Sequence, residues 1–148
     1  MPDLSVVIPV QNEEDNIRML IDEVRQSLDG VLDYELIYVN DGSSDSTLEI
    51  LQEYRSGFPL LRIYSHQTGV GQSTAVRTGI IHAQSPVIAT LDGDGQNDPA
   101  DIPALYQALI ANADAGIVLV NGYRKERKDT FIKRMSSSQI SAGHWSGL

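Results

Sequence analysis

Apolar residues follow two rhythms along this chain, and the rhythms alternate. Leu4–Pro9 is a short, nearly continuous apolar run bounded by proline and polar residues, which reads as a buried strand. Ile17, Leu20, Ile21, Val24 and Leu28 then recur on one helical face, which Asp29 and Gly30 end. Asn12 is the expected cap of that helix, with Glu13, Glu14 and Asp15 suited to its first turn. Glu35–Val39 reads as a second strand and 40–44 as a turn. Leu48, Leu51 and Tyr54 continue a helix opened by a capping box of Ser46 and Glu49. Leu61–Tyr64 is a third strand, Gln72–His82 a third helix and Val87–Leu91 a fourth strand. A fourth helix spans 100–112, where Pro103 is tolerated in the first turn, and Ile117–Val120 is a fifth strand. Residues 136–148 have no periodicity and read as loop or disorder.

Strands alternating with helices predict an α/β fold whose parallel sheet is covered on both faces. In such sheets ligands bind beyond the carboxyl ends of the strands. The polar clusters fall there: Gln11–Glu13 after the first strand, Asp41–Ser43 after the second, Gly69–Ser73 after the third and Asp92–Gln96 after the fourth. Four independent strand ends thus converge on one crevice.

The stretch Asp92–Pro99 carries the most chemistry. Asp92 and Asp94 stand two residues apart at a strand end and can converge on one cation. Gln96 adds a neutral oxygen, and Gly93 and Gly95 let the backbone bend and a ligand come close. Hard oxygen ligands select Mg²⁺ or Mn²⁺, which commonly carry substrate phosphates. The pattern reads as a metal–diphosphate site and points to a sugar-nucleotide enzyme. Alone, Asp-Gly-Asp-Gly is a surface turn more often than a site; the three other strand ends tip the reading. An EF-hand loop does not fit, because Asn97 and Pro103 stand where it needs glycine and glutamate.

The bulk numbers are consistent with one soluble domain. The chain has 148 residues, of which 41% are hydrophobic and 21% charged. It has no cysteine, so no disulfide or thiolate metal site forms, and a reducing compartment fits. No apolar run is long enough to span a bilayer, and Met1–Asp3 opens no signal-peptide pattern. The net charge of −9 is uneven: residues 1–122 carry 5 basic and 18 acidic side chains, while 123–134 carry 6 basic and 2 acidic. An acidic body argues against nucleic acid as a partner. By charge alone the basic cluster is a solvated helix face, although it could meet a phosphate or an anionic membrane surface.

These residues together resemble the inverting family 2 glycosyltransferases with the GT-A fold. Val6–Glu14 looks like that family's opening strand and loop, Tyr38–Thr47 like its second nucleotide-contacting segment, and Asp92-Gly93-Asp94 fits its DxD motif. The match is closest to the polyprenyl-phosphate branch, in which Gln and a Pro-containing turn follow the DxD, as Gln96–Pro99 do here. The resemblance covers about residues 4–134. It implies a donor-binding GT-A domain over 1–134, incomplete on the acceptor side because family members continue further, and an irregular tail over 135–148. It also implies roles. Pro9, Gln11 and Glu13 would line the base and ribose pocket, and Asp41 would hold the nucleobase or ribose. Asp92 would sit near ribose and metal, while Asp94 and Gln96 would ligate the metal. Gly71 and Gln72 would add to the donor site. Arg124 would join Asp92 and Asp94 in catalysis, and Arg127, Lys128, Lys133 and Arg134 would help it gather phosphates.

The activity implied is transfer of a sugar from a UDP- or GDP-sugar to an acceptor, with polyprenyl phosphate first among acceptors. A lipid phosphate is already anionic, so it needs no general base. The implied location is cytoplasmic, with peripheral membrane contact through the basic cluster. Two other readings stand beside this one: a non-catalytic nucleotide-sugar-binding relative, and an aspartyl-phosphate phosphatase with Asp92 as nucleophile. The phosphatase normally places its motif on the first strand, not the fourth. Gly69–Gly71 lacks the third glycine of a dinucleotide loop and reads as close packing beside the site. His66, His82 and His144 have no metal-ligand spacing, and none is assigned to catalysis; His82 reads as a helix-end or surface residue. Trp145 is either a docking anchor or incidental.

Overall fold

The structure, a computed structural model, describes residues 1–116. Four parallel strands form one sheet in the order β3-β2-β1-β4. They are β1 (Leu4–Val10), β2 (Tyr34–Asp41), β3 (Leu61–His66) and β4 (Ile88–Thr90). The helices are α1 (Ile17–Leu28), α2 (Thr47–Gly57), α3 (Gln72–His82) and α4 (Ile102–Ala111). A 3₁₀ turn, Pro99–Asp101, leads into α4, which places Pro103 in the first turn as expected. The expected fifth strand and the irregular tail lie outside the described residues.

The alternation of a strand decides which layer each residue feeds. Leu4, Val6, Ile8 and Val10 of β1 and Leu36 and Tyr38 of β2 join the apolar stripe of α1 and Ile50 and Leu51 of α2 in the main core. Val7, Ile37 and Val39 point the other way and meet Ala75 of α3. Parallel crossovers are right-handed, so the steps from β1 to β2 to β3 put α1 and α2 on one face. The chain then returns past β2 and β1 to reach β4, so α3 crosses on the opposite face. At Gly79 a side chain would collide with Val7 and crowd Val39. That close approach explains a glycine in mid-helix, where it costs about 1 kcal/mol against alanine.

The strand order reverses between β1 and β4, and the two strands part there. Leu91 N–H donates to the Val7 carbonyl (3.1 Å), and the register of the pair ends with Val7 beside Thr90. Proline inside a central strand normally forfeits a ladder bond. Pro9 does not, because its nitrogen faces the side from which β4 has already withdrawn, while β1 stays in register with β2 as far as Val10.

The opposite end of the sheet is held by a buried carboxylate. Glu35 accepts from Ser5 Oγ, from Gln84 N–H and from Arg62, each at 2.6 Å. Arg62 also donates to the His82 carbonyl (2.8 Å), so β2, β3 and the end of α3 are tied together. Burial alone would raise the Glu35 pKa, but these three donors outweigh it and hold it below its ordinary 4.5. His82 ends α3, as expected, and its ring stacks on Tyr64 at 3.9 Å. Among the described residues no helix is long and apolar enough to cross a membrane.

A carboxylate with a depressed folded pKa stabilises fully above its unfolded value and loses that contribution as pH falls through the folded one. Glu35→Gln turns an amide donor toward Arg62 and should cost roughly 1–3 kcal/mol at neutral pH, the usual cost of a buried group left unsatisfied. The deficit should shrink once the medium is acidic enough to protonate Glu35 in the unmutated chain. Urea unfolding at neutral pH and below pH 4.5 checks both statements.

Candidate functional site

A cleft of about 430 Å³ opens where β1 and β4 diverge. Pro9 and Val10 line it from β1, Gln11 and Glu13 from the loop after β1, Asp41 from β2, Gln72 and Ala75 from α3, and Asp92, Gly93, Asp94 and Gln96 from the loop after β4. Eight of the residues singled out by sequence are therefore brought together: Pro9, Gln11, Glu13, Asp41, Gln72, Asp92, Asp94 and Gln96. Gly71 stands behind them and gives its N–H to Asp41. Arg124, Arg127, Lys128, Lys133 and Arg134 lie outside the described residues.

The first two loops are laced to each other, which turns alternate side chains into the cleft. Asn12, with a left-handed φ of 53°, does not cap α1. Its Oδ1 accepts instead from Ser44 N–H (2.8 Å) and Asp45 N–H (3.3 Å). Helix α1 starts later, after Asn16, whose side chain makes no cap bond. The expected capping box of Ser46 and Glu49 is also absent: Ser46 N–H donates to Glu14 (2.9 Å), and Asp45 Oδ1 accepts from Thr47 N–H (2.9 Å). Residues 12 and 14 face the second loop, so 11 and 13 face the cleft. Gly42, at φ 68°, lies so close to the Thr68–Gly69 backbone that any side chain would clash with it.

The third loop hangs on Asp41. Its carboxylate accepts from Val70 N–H (3.0 Å), Gly71 N–H (2.9 Å) and His66 Nδ1 (2.8 Å). Burial pushes its pKa up, but these bonds more than reverse the effect and keep it below the usual carboxylate range. At Gly69 a side chain would press on the far end of the exposed Gln11 side chain, which can move aside, and at Gly71 it would meet open space, so Gly71 answers to its φ of 103° and not to the expected close packing. In the fourth loop, Asn97 Oδ1 takes the Asp92 N–H (2.8 Å) and Asp94 Oδ1 takes the Gln96 N–H (3.0 Å). Gln72 Nε2 reaches across from α3 to Asp92 Oδ1 (3.0 Å).

Negative charge is concentrated here. Glu13, Asp41, Asp92 and Asp94 line the cleft, and among the described residues none of the lining is basic. Glu13 is raised above its ordinary 4.5 by burial first, against a bond from Asn16, and then by the charges of Asp94, Asp45 and Asp15. Among the described residues no group of three or more His, Cys, Asp or Glu side chains is arranged to hold a metal ion. Two wall residues escape notice in the sequence: Val10 at the end of β1, and Ala75, a small residue one helical turn beyond Gly71. Gly93, expected to let a ligand come close, also has no room for a side chain, which would meet Val10 and the Pro9 carbonyl. His66 was missed as well. Its signal is register, since it is paired with Asp41 across the β2–β3 ladder.

The comparisons agree with this architecture. The family model for glycosyl transferase family 2 matches residues 5–146, past the point near 134 where the resemblance by motif fades. Dodecaprenyl-phosphate galacturonate synthase of Rhizobium johnstonii is 40% identical over 139 residues, which are 91% of this chain and 40% of that protein. Undecaprenyl-phosphate 4-deoxy-4-formamido-L-arabinose transferase of Edwardsiella ictaluri is 36% identical over 141 residues, 93% of this chain and 42% of that protein. The chain thus spans about two fifths of the length of these curated relatives. A mannosyltransferase from Pyrobaculum calidifontis, solved with GDP-Man and Mn²⁺, superposes with a TM-score of 0.72 at 22% identity, covering 86% of this chain and 37% of that one. This likeness supports the GT-A fold.

A carboxylate whose pKa is raised by burial and by neighbouring charges weakens the folded state at neutral pH, where it must ionise. Glu13→Gln keeps an acceptor for Asn16 and removes a charge facing Asp94. It should raise the melting temperature of the ligand-free chain by a few degrees at neutral pH, with the gain shrinking on acidification. Thermal unfolding at two pH values measures this.

Proposed function

The chain belongs to glycosyl transferase family 2, and from that premise we propose that it forms the donor site of a metal-dependent inverting transferase. The donor is a UDP- or GDP-sugar, and the acceptor is a polyprenyl phosphate. One observation carries the reading: acidic side chains from the loops after both diverging strands line a cleft at the sheet's switch point, with no basic residue among the described residues of the lining. Carboxylates gathered in this way repel one another unless a cation joins them. The acceptor class is supported by the named activities of the two curated relatives.

Asp92 and Asp94 fit a divalent ion. Mg²⁺ is commonly held by one or two carboxylates, with substrate phosphates and water completing its shell, so the pair Asp92 and Asp94 suits it. Gln96 is the neutral oxygen beside them. When bound, the ion supplies Lewis-acid neutralisation of the departing nucleoside diphosphate. The chain's own residues bind and orient. Pro9 and Gln11 form one wall for the base and ribose, Glu13 closes it, and Asp41 accepts from the base or ribose. Gln72 and Asp92 clasp the cleft from opposite sides. Arg124, Arg127, Lys128 and Arg134 gather the donor and acceptor phosphates through charge-assisted hydrogen bonds. The anionic acceptor attacks the anomeric carbon from the face opposite the leaving diphosphate, so no general base is required. Such an enzyme works on the cytoplasmic side, with the basic cluster of 123–134 touching the membrane surface.

Calorimetric titration of the 148-residue chain with UDP, GDP and their sugars, with and without Mn²⁺ or Mg²⁺, tests the reading and identifies the base. Binding should depend on metal. Asp94→Asn should weaken that metal-dependent binding at least about tenfold, some 1.4 kcal/mol. Undiminished metal-dependent binding by Asp94→Asn rejects the role of Asp94, and no nucleotide binding by a folded sample rejects the donor site.

A further inference from the structure

The network behind the cleft wall has a centre that the donor reading does not use. His66 is the last residue of β3, and its side chain is 19% exposed. Its Nδ1 lies 2.8 Å from Asp41 Oδ1, and its Nε2 lies 2.9 Å from Thr78 Oγ1 on α3. An ionised carboxylate can only accept, so Nδ1 carries the proton and donates. Asp41 Oδ1 is thereby shared between His66 and Val70 N–H, while Oδ2 takes the Gly71 N–H. An oxygen that receives one N–H keeps a second lone pair, and Asp41 lines the cleft.

We propose that His66 is a positioning residue for nucleotide recognition, acting through Asp41. Its imidazole fixes the rotation of the carboxylate from behind. The loop before α3 then stays in place, and Asp41 keeps a free acceptor position for an N–H or O–H of the donor's base or ribose. The plain alternative is a bond that merely fastens α3 to the sheet. That role would rest on Nε2 and Thr78, whereas the proposed one rests on Nδ1 and Asp41. The two ring nitrogens therefore separate the readings. The inference rests on the proposed donor site, and its test is arranged so that the two can fail independently.

Three variants decide it. His66→Asn places an amide donor near the position of Nδ1, His66→Gln extends one toward Thr78, and His66→Phe keeps a ring with neither. With UDP or GDP as the probe, His66→Phe should bind about tenfold more weakly, the loss carried by one hydrogen bond to a charged group. His66→Asn should stay near the unmutated level, and His66→Gln should resemble His66→Phe. In the ligand-free chain, the Val70 and Gly71 amides should exchange with solvent about tenfold faster in His66→Phe than in His66→Asn. Equal nucleotide binding by His66→Phe and the unmutated chain overturns the inference, as does equal behaviour of the Asn and Gln variants. Should the unmutated chain bind no nucleotide, the donor reading fails. Amide exchange then still decides whether His66 holds Asp41 and its loop: unchanged protection in His66→Phe overturns it.

Discussion

Everything at the site follows from the parting of two parallel strands. β1 and β4 are paired as far as Val7 and Leu91, and beyond that point each continues into its own loop. The parting is a consequence of handedness. Right-handed crossovers send the chain one way through β2 and β3 and then force it back across the other face to reach β4. The strands on either side of the reversal have crossovers leaving in opposite directions, so the described residues leave a cleft above them. Pro9 belongs at that point because no donor is needed there.

The cleft is built for charge at some expense to the fold. Burial first, and then the charges of Asp94, Asp45 and Asp15, raise the Glu13 pKa, and perturbed carboxylates of this kind cluster at functional sites. Asp41 is a carboxylate of the opposite kind. It is nearly buried yet held ionised by two backbone N–H groups and an imidazole. Asp41 is satisfied by its neighbouring loop and strand, whereas Glu13, Asp92 and Asp94 present their charge to the cleft.

The first three loops are held in place by bonds that run between them. Asn12, Glu14, Ser43 and Asp45 bridge the first and second loops, and Asp41 bridges the second strand to the third loop. At the far end of the sheet Glu35 and Arg62 perform the same service for β2, β3 and α3. The family relation and the GT-A fold accord with this plan, in which four short strand-end segments bring the polar residues to one cleft.

Periodicity by itself determined the elements. The apolar runs of β1 and β2, the helical stripe of α1, the span Gln72–His82 of α3 and the placement of Pro103 all emerge from rules that act within a few residues. The convergence of Gln11, Glu13, Asp41, Gln72, Asp92 and Asp94 was legible too, because strand ends in a parallel sheet share one edge. What only the tertiary structure decided is where polar side chains spend their hydrogen bonds. Asn12 and Ser46 both carry a helix-cap signature, yet Asn12 serves the neighbouring loop and Ser46 gives its N–H to Glu14. His66 has no local signature at all, and it meets partners 25 and 12 residues away. A hydrophobic side chain needs only the correct face, which spacing reports. A polar one needs a particular partner at hydrogen-bond distance, and that partner is chosen by how the strands and crossovers are folded together.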